Sequence, residues 1–393
     1  MQDLRQRVDE LAELGLRRRL RVVESPQGDR VTLDGRSVLL LCSNDYLGLA
    51  AHSRVREAAA EAALRWGAGA GASRLVSGNM TVHAELERRL ATFKGTEAAL
   101  LLGSGYLANL GVVTALAGRG EVVFSDELNH ASIVDGCRLS RAETFIYRHG
   151  DVEHLGWGIR QAGSRAALIV TDGVFSMDGD IAPLAELSAL ARRHGVRLVV
   201  DDAHGTGTVG PGGRGAVAAA GLEGGVDVIV GTLGKALGSY GAFLACEATT
   251  AEFLVNTLRP LIFSTALPPS AVAAADAALA LVESEPERVA RLQSNATLLR
   301  RELAARGAAV DESGAHIIPL LVGEADATMR ACERALEDGC FAQGIRPPTV
   351  PSGTSRLRLT VMATHTPAEL ETAAGVLANA IGREPVTAAA RIA

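Results

Sequence analysis

Lysine is the residue this chain uses least where it would be expected most. Of 39 basic residues among 393, only Lys94 and Lys235 are lysines and the rest are arginine. Any chemistry that needs a deprotonatable side-chain amine therefore has two candidates. The bias runs with abundant Ala and 43 Gly, as in a GC-rich coding sequence, so the two exceptions are informative. Five cysteines, at 42, 137, 246, 332 and 340, are odd in number and never spaced C-x-x-C, which fits neither a disulfide framework nor a zinc site and points to a reducing cytoplasm. A positive excess is also missing: the formal net charge is -6, and nucleic acid is not an expected partner. The first residues are charged and helical in pattern from Asp3 to Arg21, with no apolar stretch of the signal-peptide kind. The charge-free run from Ala98 to Gly118 is long enough to span a bilayer. Gly103, Ser104, Gly105, Asn109 and Gly111 instead divide it into strand, turn and helix, and no membrane span is expected.

What is present is an ordinary globular composition, 48% hydrophobic and 21% charged, with length for two or three domains. After the N-terminal helix, Val31 to Leu40 reads as a hairpin turning at Asp34-Gly35. From there to about residue 250, short apolar runs (Ala99 to Leu102, Glu121 to Phe124, Ala166 to Thr171, Arg197 to Asp201, Val226 to Val230, Ala242 to Ala245) mostly alternate with helical stretches such as Val82 to Phe93, Ile133 to Leu139 and Ala182 to His194. Apolar strands separated by helices belong to a mostly parallel sheet covered on both faces. A long helical region, Ser270 to Arg306, precedes a few strands (Ile317 to Leu321, Leu357 to Val361) with a helix between and after them, a smaller α+β domain. The expected division is 1–45 (N-terminal helix and short strands), 46–280 (large α/β domain) and 281–393 (small α+β domain), with a disordered tail after Arg383.

Ligands of parallel α/β sheets bind beyond the carboxyl ends of the strands, and four such places carry polar groups. Leu102-Gly-Ser-Gly-Tyr-Leu-Ala-Asn109 is a glycine elbow between strand and helix, able to hold a phosphate on N–H groups or to serve only as a tight turn. Val199-Val-Asp-Asp-Ala-His-Gly205 ends a buried strand in acids, followed by His204; pairing with a protonated ring nitrogen, a metal site and a loop cap all remain open there. Val230-Gly-Thr-Leu-Gly-Lys235 sets one of the two lysines in a small-residue loop, the setting for Schiff-base chemistry. Lys94, by contrast, is expected at a helix end before Gly95, solvated and compensating the helix dipole. Phe124-Ser-Asp-Glu-Leu-Asn-His130 leads into a helix, where a lone His is more often structural. A phosphate elbow, then a strand-end acid, then a lysine in a small-residue loop is the combination that pyridoxal 5'-phosphate (PLP) requires.

The chain also resembles the α-oxoamine synthases. The resemblance is carried by Ser43-Asn-Asp-Tyr-Leu-Gly-Leu49, Gly69-Ala-Gly-Ala-Ser-Arg-Leu-Val-Ser-Gly78, Leu128-Asn-His-Ala-Ser132, Asp172-Gly-Val-Phe-Ser-Met-Asp-Gly179, Val200-Asp-Asp-Ala-His-Gly205, Gly231-Thr-Leu-Gly-Lys235 and Pro347-Pro-Thr-Val-Pro-Ser-Gly-Thr-Ser-Arg-Leu-Arg358, in family order over nearly the whole chain. It implies the three-layer, aspartate-aminotransferase-like fold of PLP-dependent transferases, with the cofactor in the large domain, and a homodimer with shared active sites. The implied activity is decarboxylative condensation of an amino acid with an acyl thioester. Arg346-Pro-Pro-Thr-Val-Pro and Asp202-Ala-His-Gly-Thr-Gly-Thr-Val-Gly most resemble members that join L-alanine to pimeloyl-CoA or pimeloyl-acyl carrier protein. The alternative is the glycine-using members, which share the segments around Ser176 and Lys235.

Carried over by position, the resemblance implies that Lys235 holds the cofactor aldehyde and takes the amino acid's Cα proton, and that Asp201 holds the ring-nitrogen proton. His204 and Ser176 meet the phenolic edge, and His130 the ring face. Gly105, Tyr106 and Thr232 serve the phosphate, and Thr265 also belongs to the cofactor set. For substrate it implies Arg21, Asn44, His130, Thr349 and Arg358, with Arg358 on the carboxylate and Arg356 as the rival for that task. Asn44 and Thr265 resemble positions that reach the site from the second subunit. No metal is expected, because nothing in the sequence converges on Asp201, Asp202 and His204 as further ligands.

Overall fold

A computed structural model describes residues 3–311 and 314–382; the tail after Arg383 lies outside the described residues. The chain begins with α1 (Leu4–Glu13), the hairpin β1 (Arg30–Leu33) and β2 (Arg36–Leu40), α2 (Ser53–Trp66) and α3 (Thr81–Lys94). It continues through β3 (Ala98–Leu102), α4 (Gly105–Leu116), β4 (Val122–Asp126), α5 (Ala131–Ser140), β5 (Glu143–Tyr147), α6 (Val152–Ala162), β6 (Ala166–Asp172), α7 (Leu184–His194) and β7 (Arg197–Asp201). Then follow α8 (Ala216–Ala219), β8 (Val228–Thr232), β9 (Ala242–Cys246), α9 (Ala248–Thr257), α10 (Arg259–Phe263), α11 (Pro269–Ser284) and α12 (Pro286–Ala305). The last part holds β10 (Ile317–Gly323), α13 (Ala325–Glu337), β11 (Cys340–Phe341), β12 (Gln343–Ile345), β13 (Ser355–Thr360) and α14 (Pro367–Gly382).

Two compact units result, one of residues 49–176 and 180–290, the other of the described residues among 1–48, 177–179 and 291–382. The larger unit is built on a seven-stranded sheet of order β3-β9-β8-β7-β6-β4-β5. Strands β8, β7, β6, β4 and β5 run parallel, and β9 is antiparallel to both of its neighbours. The mostly parallel sheet read from the apolar runs is therefore present. Strand alternation sends Val123, Leu168, Val170, Val199, Val228 and Val230 to one face, against Ala108, Val112 and Val113 of α4 and Ile133 and Cys137 of α5. Each fully buried Val or Leu in such a layer contributes about 1.5–3 kcal/mol. Gly136 lets α5 approach α4 closely, since a Cβ there would lie 3.2 Å from the Asn109 carbonyl oxygen.

The smaller unit holds a sheet of order β1-β2-β11 and another of order β10-β13-β12. The β1–β2 hairpin turns where expected, with φ +50° at Asp34 and +71° at Gly35, the pairing that matches strand twist. Two sequence expectations need correction, and one element is new. The first helix stops at Glu13 instead of reaching Arg21, because Gly15 takes φ +66° and ends it. The helical region after Ser270 is two helices, parted at Glu285-Pro286, where proline cannot continue the first. Strand β5 was not anticipated: it is an edge strand with three of its five residues exposed, so its apolar signal is weak.

Candidate active site

Strand β7 ends in two acids whose side chains go opposite ways. Its ladder continues one residue further, Asp202 N–H donating to the Val230 carbonyl at 2.8 Å, so Asp201 and Asp202 alternate faces. Asp201 enters a pocket of about 180 Å3 beyond the strand ends. Its Oδ1 accepts from the Ala203 N–H at 2.9 Å, and its Oδ2 from Asn109 Nδ2 at 2.5 Å. Asp202 is fully buried on the other side, with Oδ2 at 2.7 Å from Lys94 Nζ and Oδ1 accepting from the Ala216 N–H at 2.9 Å. Two glycines enclose that carboxylate: a Cβ at Gly205 would sit 1.9 Å from Oδ1, and one at Gly215, where φ is +103°, 1.7 Å from Oδ2.

The placement of Lys94 corrects the sequence reading. It does end α3 before a left-handed Gly95, but it is 3% exposed and also donates to the Arg214 carbonyl at 2.7 Å. Burial lowers its pKa and the Asp202 carboxylate pulls it back. Asp202 is thus the counter-ion of Lys94, which removes it from any metal set, and among the described residues no cluster of three potential ligands is found.

The same pocket collects Lys235, Asp201, His204 and His130, together with Gly105, Tyr106, Ser176 and Thr232. Lys235 Nζ lies 2.8 Å from His204 Nε2. Thr232, the last residue of β8, donates to the Gly241 carbonyl at 3.1 Å and accepts from the Gly234 N–H at 3.2 Å, which shapes the lysine loop. Ser104 caps α4 by accepting from the Leu107 N–H at 3.3 Å, leaving the first-turn N–H groups of Gly105 and Tyr106 outside the helical ladder at its positive end. Thr265 does not line the pocket; it forms a bridge with Ser73 in the Gly69–Gly78 motif.

His130 caps α5, and burial lowers its pKa. Its N–H donates to Asp172 Oδ2 at 3.1 Å. Asp172 ends β6 directly opposite Asp201, and burial together with the Asp201 charge pushes its carboxyl well above the usual range. Ser176 sits in a loop closed by the Val174–Ile181 bridge and a Phe175 N–H to Asp180 carbonyl bond of 3.0 Å. His149 fastens that loop, lying 2.9 Å from Asp126 Oδ1 and 2.8 Å from Asp180 Oδ2, and the two carboxylates raise its pKa to about 10.

Pocket residues that sequence reasoning did not single out are Asn109 and Asp172, with Ser132 behind them. The available signals were a buried amide in the otherwise apolar α4 and an acid at the end of an apolar strand.

The remaining predicted residues belong to the smaller unit. Arg356 and Arg358 lie on β13, both largely buried. Arg356 is ion-paired to Asp178, and its Nε donates to the Thr354 carbonyl at 3.0 Å. Arg358 donates to neutral oxygens, Asn44 Oδ1 at 3.4 Å and the Tyr46 hydroxyl at 3.3 Å. Asn44, expected from a second subunit, thus contacts Arg358 of its own chain. Arg21 is ion-paired to Glu333, and Thr349 is exposed, its N–H bonded to the Arg346 carbonyl at 3.2 Å.

Fold and pocket together define a class, and residues 36–377 match the family model described as aminotransferase class I and II. The chain belongs to that family. Within it, the chain is 53% identical to the 8-amino-7-oxononanoate synthase of Citrifermentans bemidjiense over 96% of its own length and 97% of that protein. It is 55% identical to the protein of the same name from Geobacter sulfurreducens, again over 96% and 97%. Among solved structures, a serine palmitoyltransferase from S. paucimobilis with a bound PLP–myriocin aldimine superposes with TM-score 0.91 at 36% identity, covering 96% of each chain. The 8-amino-7-oxononanoate synthase from Francisella tularensis gives 0.76 at 26%, covering 88% of this chain and 98% of that one.

Proposed function

We propose that this protein condenses L-alanine with the pimeloyl thioester of CoA or of acyl carrier protein, releasing CO2 and the free thiol and forming 8-amino-7-oxononanoate for biotin synthesis. One observation carries the reading: a lysine, a strand-end acid and a helix N-terminus converge on one pocket, in a chain 53–55% identical over nearly its full length to proteins of that name. These relatives favour alanine and a pimeloyl donor over glycine and an acetyl donor.

The pocket fits PLP, with an anion cradle at α4, an acid at β7 and an amine after β8. When bound, PLP supplies an electron sink conjugated to the amino acid's Cα. Lys235 Nζ would hold the cofactor aldehyde and serve as the base that takes the amino acid's Cα proton and returns one after CO2 leaves; its 2.8 Å contact with His204 Nε2 orients it. Asp201 keeps the ring nitrogen protonated, held by Asn109 and the Ala203 N–H. His204 and Ser176 serve the phenolic edge, His130 the ring face, and Gly105, Tyr106 and Thr232 the phosphate. Arg358 would take the alanine carboxylate through its guanidinium fork, as the family resemblance implies; its rival Arg356 is ion-paired to Asp178. Arg21 and Thr349 would contact substrate, as the resemblance implies. In the overall reaction the Cα to acyl-carbon bond forms, the C–S bond and the Cα–carboxylate bond break, and the thiolate takes up a proton.

The working form is a homodimer in the cytoplasm, with Thr265 contributing to the neighbouring site. Leu75, Val76 and Phe263, exposed at 54%, 79% and 70%, support a subunit contact near the Ser73–Thr265 bridge. None of the five cysteines is in a disulfide, in keeping with a reducing compartment.

The test is a product assay with alanine or glycine against pimeloyl and acetyl donors, on PLP-loaded protein. Alanine with a pimeloyl donor is expected to release CO2 and form the amino ketone, and Lys235→Ala to abolish both the release and the visible absorbance band. A colourless wild type after PLP addition defeats the reading.

A further inference from the structure

Two residues outside the assigned set connect the pocket's ring-face histidine to its ring-nitrogen acid. Asn109 is buried on α4 and Ser132 is buried in the first turn of α5, brought within reach by the close approach at Gly136. Asn109 Nδ2 is 2.5 Å from Asp201 Oδ2 and 2.9 Å from Ser132 Oγ. Ser132 Oγ is 2.7 Å from His130 Nδ1, and the Ser132 N–H is 3.3 Å from the same nitrogen.

The donors make this chain directional. Asp201 as a carboxylate only accepts, so the amide must turn Nδ2 toward it, and the second Nδ2 hydrogen goes to Ser132 Oγ. The serine oxygen is thereby an acceptor from Asn109, and its own hydrogen points to His130 Nδ1. That nitrogen also faces a backbone N–H, so it carries no proton, and the neutral ring is protonated at Nε2. Flipping the amide would set Oδ1 against the carboxylate. Oδ1 is instead left buried without a hydrogen-bond partner among the described residues, the cost of keeping Nδ2 on Asp201.

We propose that Asn109 and Ser132 form a one-way hydrogen-bond relay that fixes the Asp201 carboxylate for the ring nitrogen and locks His130 in the Nε2–H tautomer. Both are positioning residues, and the proposal rests on the PLP reading of the pocket. It explains why two side chains of unlike chemistry, on different elements, hold a fixed relation across the site: a change at either end is felt through three hydrogen bonds.

The test uses holoenzyme carrying PLP labelled with 15N in the ring, and separately 15N-histidine protein, with His130 assigned by difference against His130→Gln. In the wild type, His130 Nδ1 is expected at the unprotonated and Nε2 at the protonated 15N position; the reverse order overturns the relay without needing any variant. Ser132→Ala, which removes one oxygen, is expected to move both His130 nitrogens toward averaged values. Asn109→Ala is expected to shift the ring 15N toward the unprotonated position and lower kcat about 10- to 100-fold, with the alanine KM within about threefold. Unchanged 15N positions in both variants overturn the proposal. Failure of the PLP reading is separate: it shows as no ring signal and no CO2 from the wild type, while the histidine spectrum still reports the tautomer.

Discussion

Replacing Lys94 by Met strands a carboxylate at the centre of the larger unit. Lys94 and Asp202 are 3% and 0% exposed, and Lys94→Met removes the ammonium 2.7 Å from Asp202 Oδ2 without removing the acid. Breaking a buried pair from one side costs about 3–5 kcal/mol. The carboxylate's escape is to take a proton, and at pH 7 that costs an aspartate of ordinary pKa about 4 kcal/mol. The desolvation that Lys94 no longer suffers offsets part of this, so the expected loss is about 3 kcal/mol at pH 7. A carboxyl that protonates on folding binds more protons in the native than in the unfolded state, so the variant's deficit grows as pH rises. Between pH 5 and 7 it changes by up to about 2.7 kcal/mol. The assay is urea unfolding of wild type, Lys94→Met, Asp202→Asn and the double variant, at fixed protein concentration and both pH values. The double variant, which retires both charges, is expected to recover more than half of the loss. A deficit under about 1 kcal/mol at pH 7, or one equal at the two pH values, refutes the buried-pair account.

The His149 clamp gives the opposite pH signature. Its pKa is raised from an ordinary 6.5 to about 10, so its contribution is complete below pH 6.5 and disappears as pH climbs through 10; His149→Gln is expected to flatten the fall in wild-type stability over that window, by about 2–4 kcal/mol in thermal or urea unfolding. Arg358→Lys, which replaces a fork by a point charge, is expected to raise the alanine KM about 10- to 100-fold with the cofactor band unchanged, and more than Arg356→Lys does; equal effects in steady-state kinetics would contradict the carboxylate assignment. Gly215→Ala puts a methyl 1.7 Å from Asp202 Oδ2 at φ +103°, and is expected to cost more than about 3 kcal/mol, read as loss of soluble folded protein by circular dichroism.

The parallel sheet was legible because its strands are apolar throughout, and the position of Lys235 because a lysine after such a strand stands out among arginines. Strand β5 was not, since an edge strand has one side in water and loses the apolar signature. The end of α1 was missed because its termination depends on one glycine conformation, not on a change of composition. At the site, Asp201, His204 and Lys235 follow strand ends where chemistry is sought. Asn109, Asp172 and Ser132 act through partners 92, 29 and 23 positions away in the chain, a relation visible only once α4, α5, β6 and β7 are packed. For Arg21, which the resemblance assigns to substrate, what only the fold adds is its ion pair with Glu333.

Lys94 is the sharpest case, because composition singled it out and local sequence then misplaced it. A lysine before a glycine at a helix end is ordinarily a solvated dipole partner, and nothing within several residues says otherwise. What decides its environment is Asp202, 108 positions away, delivered to it by strand alternation at the end of β7. The chemistry of the niche also explains why arginine does not stand here in a chain that uses it nearly everywhere else. The space is bounded by Gly215, whose added Cβ would already lie 2.7 Å from Nζ, and its acceptors, Asp202 Oδ2 and the Arg214 carbonyl, are each 2.7 Å from a single nitrogen. A compact ammonium satisfies both from one point, whereas a planar guanidinium must place its donors apart and fill volume that the glycine leaves closed. The two lysines of the chain therefore flank one strand end from opposite sides: Lys235 lines the pocket that Asp201 enters, and Lys94 neutralises Asp202, whose backbone opens the turn that carries His204 back toward Lys235.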